Sequence, residues 1–144
     1  MIRRFRIYPS KGSRLLVRVV VYPTGDDMLE AIAGENFAPQ PPEANDPKPA
    51  ATTREWMVWR VYPNGKQRRN ACVAEVRLRT DRLSAEVLSH EAFHAAMAWG
   101  RRTRFHFERL SIDPVNGDEE KLAYIHSNLC QATVDRLTAM GLYK

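Results

Sequence analysis

Cysteine is scarce in this chain: Cys72 and Cys130 are the only two among 144 residues. One falls in a strand pattern and the other beside the apolar face of a helix, which points to buried thiols and not to a bridge. Neither belongs to a C-x-x-C pair, so a thiolate zinc cluster is excluded. Long apolar runs are also missing. The longest, around Val19-Val20-Val21, is far too short to span a bilayer. Arg3, Arg4 and Arg6 are followed by no apolar signal region, so a cytoplasmic protein without a membrane role is expected. No internal repeat is visible, which sets aside solenoids and arrays.

What is present suits one globular domain spanning 1–144. The length supports one core, and a hydrophobic share of 44% is ordinary. The net charge is +5, and the basic residues cluster. Lys66, Arg68 and Arg69 are read at a turn, Arg77 and Arg79 along a strand, and Arg101, Arg102 and Arg104 behind a helix. Such a surface attracts nucleic acid or an acidic protein. No nucleic-acid motif accompanies it, so solvated faces are the preferred reading. Trp56, Trp59 and Tyr62 lie near the basic turn and are read as core.

The first half of the chain reads as strands. Residues 3–8 and 14–22 are β-rich, with Pro9-Ser10-Lys11-Gly12 as the turn between them. A short helix is expected over 26–37. Residues 38–53 carry Pro39, Pro41, Pro42, Pro47 and Pro49 and are read as an extended loop outside the core. A second hairpin is expected from strands 56–62 and 71–79 about the turn Pro63-Asn64-Gly65. In its second strand Cys72, Ala74, Val76 and Leu78 face one way, and Glu75, Arg77 and Arg79 the other. The expected order is β-β-α-β-β-α-α. That is an α+β domain, a twisted sheet of about four strands packed against an active-site helix and a C-terminal glutamate helix.

The chemistry concentrates in His90-Glu91-Ala92-Phe93-His94, an H-E-x-x-H. Four residues on a helix return a side chain to almost the same face, so His90 and His94 can grip one Zn2+ from a single turn. Glu91 stands beside the first ligand as the base for a water on that ion. The setting is helical. Ser84 is a cap, Glu86 lies in the first turn, and Gly100 before Arg101 and Arg102 reads as a stop. Leu88, Ala92, Ala95 and Trp99 form an apolar stripe that the histidines avoid.

After 25 further residues comes Glu120, preceded by Glu119, at the start of a second helix. Leu122, Ile125, Leu129, Ala132, Leu137 and Met140 give that helix an apolar face, and Gly141 ends it. A glutamate there supplies a third ligand for a catalytic His₂Glu site. Acidic residues also favour the first turn of any helix through its dipole. His106, twelve positions after His94, is the alternative third ligand. There is no G-x-x-H after the second histidine, which excludes the metzincin arrangement.

Over about residues 84–140 the chain resembles the gluzincin metallopeptidases in their smallest form. They carry H-E-x-x-H on one helix and a glutamate on the next, with a small residue three positions later. Glu120 and Ala123 fit that pattern. The resemblance implies a minimal zincin-like fold and a zinc-dependent peptidase acting on a protein or peptide substrate, with His90, His94 and Glu120 as ligands and Glu91 as general base. In size and layout the chain is also similar to small phage-encoded metallopeptidase-like proteins, for which the host cytoplasm would be the place of action. Tyr124 and His126 are oxyanion donors by position, although packing roles suit them better. The competing expectation is a non-catalytic zinc-binding or basic interaction protein that sequesters a protein or nucleic-acid partner.

Overall fold

The computed structural model describes residues 1–34, 49–103 and 117–144, with no side-chain description of 117 and 118. His106 and Arg104 lie outside the described residues, as does most of the proline-rich stretch. Among the described residues the architecture is α+β, with a four-stranded mixed sheet and three α-helices. The strands are β1 (Arg3–Ile7), β2 (Leu16–Tyr22), β3 (Ala51–Glu55), β4 (Trp59–Val61), β5 (Gln67–Arg69) and β6 (Cys72–Arg79). The helices are α1 (Gly25–Ala33), α2 (Ala85–Arg102) and α3 (Gly117–Ala139). None of them is long and apolar enough to cross a membrane, among the described residues.

The main sheet runs β1-β2-β6-β3. β2 and β6 are parallel, and the outer pairs are antiparallel. α2 and α3 cover one face. Phe5, Ile7, Val17, Val19, Val21, Val76 and Leu78 meet the buried stripe of α2, Leu88, Ala92, Ala95 and Trp99, and then Leu122, Ile125, Leu129 and Leu137 of α3. The periodicity of both helices thus maps onto their buried faces. α1 closes part of the other face, where Met28 packs on Val20 and Tyr22. Gly25 at its start lets the Arg79 guanidinium lie close, since a Cβ there would stand 2.6 Å from Arg79 Cζ.

Several expected boundaries move. α1 ends at Ala33 with Gly34 as its cap, short of 37. α2 runs through Gly100 to Arg102, because Gly100 is buried against the core and Thr103 caps the end by donating to the Trp99 carbonyl at 3.0 Å. Ser84 caps the start as expected, accepting from Val87 N–H at 3.1 Å. α3 closes in a Schellman turn: Gly141 adopts φ +71° and Leu142 N–H reaches the Leu137 carbonyl at 2.9 Å.

Two corrections alter the topology. Residues 51–53, expected in a loop, are strand: β3 pairs with β6 through Thr53↔Val76. The expected hairpin between 56–62 and 71–79 does not form. Pro63-Asn64-Gly65 does turn the chain, with Gly65 at φ +78°, but β4 pairs with the immediately following β5. A tight turn closes on its nearest partner, and the run Lys66-Gln67-Arg68-Arg69 had hidden that strand behind its charge. The observed order is therefore β-β-α-β-β-β-β-α-α. β6 is left free to enter the centre of the main sheet. There Glu75, Arg77 and Arg79 are buried too. Arg18 and Arg77 pair with Glu75, and Arg79 with Asp81, which offsets the cost of taking these charges from water.

Candidate metal centre

α2 sets its apolar stripe into the core, and this orientation decides where every other side chain of the helix points. His90 and His94 emerge exposed, on the face next to that stripe. Their Nε2 atoms stand 3.1 Å apart and their rings meet nearly edge to face, with centroids 4.7 Å apart. A tetrahedral zinc with bonds of about 2.0–2.1 Å holds two nitrogens about 3.3 Å apart. The pair is thus convergent and close to the spacing that one such ion requires.

Glu91, the next residue after His90 on the helix, is only 6% exposed. Its Oε2 accepts a short hydrogen bond from Thr53 Oγ1 on β3. A buried carboxylate needs such a donor. The bond fixes one carboxylate oxygen. Thr53 escaped the sequence analysis because the preceding prolines drew residues 51–53 into a loop; Thr52-Thr53, two β-branched residues in succession, were the available signal.

A cleft of about 230 Å³ opens beside this arrangement. It is lined by Ala50 and Ala51 at the start of β3 and by Glu86, Val87, His90 and Glu91 of α2. β3 is the edge of the main sheet among the described residues. β6 is internal, paired with β2 and β3.

The remaining candidates lie on α3. Glu119 and Glu120 are exposed in its first turn. Among the described residues, no three His, Cys, Asp or Glu side chains gather as a metal-binding set. The structure brings His90 and His94 together and gathers neither Glu91 nor Glu120 with them as a third ligand. His126 packs between the helices: its Nε2–H donates to the Ser89 carbonyl at 3.0 Å, and its ring meets Phe93 edge-on. That bond commits the nitrogen to α2. Tyr124 is 62% exposed. Cys130 is half-buried, and burial pushes its thiol above the ordinary range.

Compared with known protein families, curated proteins and solved structures, the chain matches none.

Proposed function

We propose that this protein is a zinc-dependent metallopeptidase of minimal zincin-like design, hydrolysing peptide bonds. The observation that carries the reading is the convergence of the His90 and His94 Nε2 atoms, 3.1 Å apart, beside a buried Glu91. Both nitrogens lie on one rigid turn, so little ordering remains for a metal to impose. His90 and His94 would hold the ion, and Glu120 is proposed as the third ligand on the motif pattern. Bound there, zinc supplies Lewis acidity, polarising a carbonyl and bringing the pKa of water towards neutrality.

The chain's own groups do the rest. Glu91 takes the proton of the attacking water as the carbon–oxygen bond forms, and returns it to the leaving nitrogen as the carbon–nitrogen bond breaks. Thr53 holds the Glu91 carboxylate in place by occupying one oxygen. β3, the edge of the main sheet among the described residues, would offer backbone donors and acceptors to an extended peptide lying along the cleft that Glu91 and His90 share.

The test pairs two measurements. Metal analysis of the purified protein should find zinc, and His90→Ala or His94→Ala should lose it. Mass spectrometry of a cell lysate treated with wild type should reveal new peptide termini that are absent with Glu91→Gln. A metal-free wild type removes the metal centre. Zinc without wild-type-specific cleavage removes the peptidase and leaves a protein that binds its partner stoichiometrically.

A further inference from the structure

A cleft of about 730 Å³ lies where β4 and β5 meet the main sheet. It takes no part in the proposed hydrolysis. Six arginines line it against a single carboxylate, Glu55, which is already paired with Arg101 at 2.8 Å. Their arrangement follows from strand register. Arg6 stands opposite Arg18, and Arg18 and Arg54 flank Glu75, so one row across β1, β2, β6 and β3 carries three positive charges and one negative. The β4–β5 ribbon repeats the pattern, with Arg60 directly opposite Arg68. Like charges opposed across a ladder destabilise it. Glu75 already pairs with Arg18 at 3.1 Å, so the Arg60–Arg68 opposition and the positive surplus of the row mark the place where an anionic ligand relieves repulsion.

Aromatic rings are interleaved with these charges. The Arg18 guanidinium lies 4.9 Å from the Trp56 ring centre, and Arg60 lies 5.5 Å from that of Tyr62. Trp59, expected in the core, is 55% exposed, and every residue of β4 and β5 is exposed. The Trp56 indole N–H is buried without an acceptor among the described residues. An acidic peptide would satisfy the arginines but would leave Trp59 with nothing to stack on. Bases supply flat faces and phosphates supply charge, and single strands present both together.

We propose that this cleft binds single-stranded nucleic acid, with the backbone along the Arg6–Arg18–Arg54 row and the Arg60–Arg68 pair, and a base stacked on Trp59. The site is independent of the histidine pair. Neither carboxylates nor metal are needed, so its fate and that of the peptidase reading separate cleanly.

Fluorescence anisotropy of the full chain with labelled oligothymidylate and oligouridylate of about 15 nucleotides tests it. Either should bind, and a preference between them assigns DNA or RNA. With about three phosphates engaged, affinity should fall roughly twentyfold between about 50 and 200 mM salt. Trp59→Ala should weaken binding about tenfold and Trp59→Phe restore most of it. R60Q/R68Q should reduce the log–log salt slope by about 1.4. Thermal melting of each variant verifies that it is folded, and all three substituted positions lie outside the core. Wild-type affinity in folded Trp59→Ala and R60Q/R68Q would overturn the proposal, as would equal binding of a duplex, or polyglutamate competing as well as the oligonucleotides.

Discussion

The histidine pair and the arginine cleft are held in place by opposite means. His90, Glu91 and His94 ride on a helix whose other face is locked by Leu88, Ala92, Ala95 and Trp99. Their positions follow from packing, and little else is required. The β4–β5 ribbon buries nothing of its own. Its polar tie to the body is Arg102, beside Trp56, which precedes β4 and lies under Arg18 and Arg54. The Arg102 guanidinium, only 6% exposed, donates to the carbonyls of Asn70, Trp56 and Met57 on both sides of the ribbon. Burial, and then Arg69, work against its charge. A helix packed on a core suits catalytic placement to fractions of an ångström, whereas a ribbon on one polar tether suits a ligand that is itself flexible.

Glu91→Gln is the sharpest way to separate the two regions. It should lower peptide hydrolysis by about 10²–10⁴-fold and leave zinc content and the arginine cleft untouched. Equal loss in both would mean that they are one site. Arg102→Met should act in the reverse sense. It strips a charged donor from three carbonyls, and about 3 kcal/mol of stability should go with it. Hydrogen exchange should speed at β4 and β5 before α2 responds; uniform exchange would show that the ribbon is not a separate unit.

Thr53→Val tests whether Glu91 depends on β3. Turnover should drop about tenfold while the denaturation midpoint shifts by about 1 kcal/mol, the ordinary worth of one hydrogen bond. Unchanged turnover would reduce the Thr53 contact to packing. The smallest effect concerns pH. The Arg79 hydrogen bond holds the exposed Asp81 carboxyl below its usual range. A depressed carboxyl stabilises the fold above its unfolded pKa and loses that contribution as pH falls through the lower, folded value. Acid titration of Asp81→Asn should therefore lack a small part of the wild-type loss at low pH.

The helices were the most legible elements. Ser84, the stripe of α2 and the apolar face of α3 with Gly141 all speak in local periods that a chain cannot express without folding accordingly. The sheet was less legible. β3 stood behind prolines and β5 behind three basic residues, and neither carries the alternation that marks a half-buried strand. β6 alternated as read, yet both of its faces are buried, because neighbouring strands supplied partners for its charges.

From the sequence alone came the spacing of His90 and His94, the cap and stripe that orient their helix, and the surplus of positive charge. These depend on contacts within a few residues, where geometry follows from composition. The fold alone decided that Thr53 meets Glu91 across 38 positions, that β3 and not β6 is the edge, and that Arg6, Arg18 and Arg54 share a row. Strand order and register are set by which apolar faces bury one another, a property of the whole chain that no local window contains.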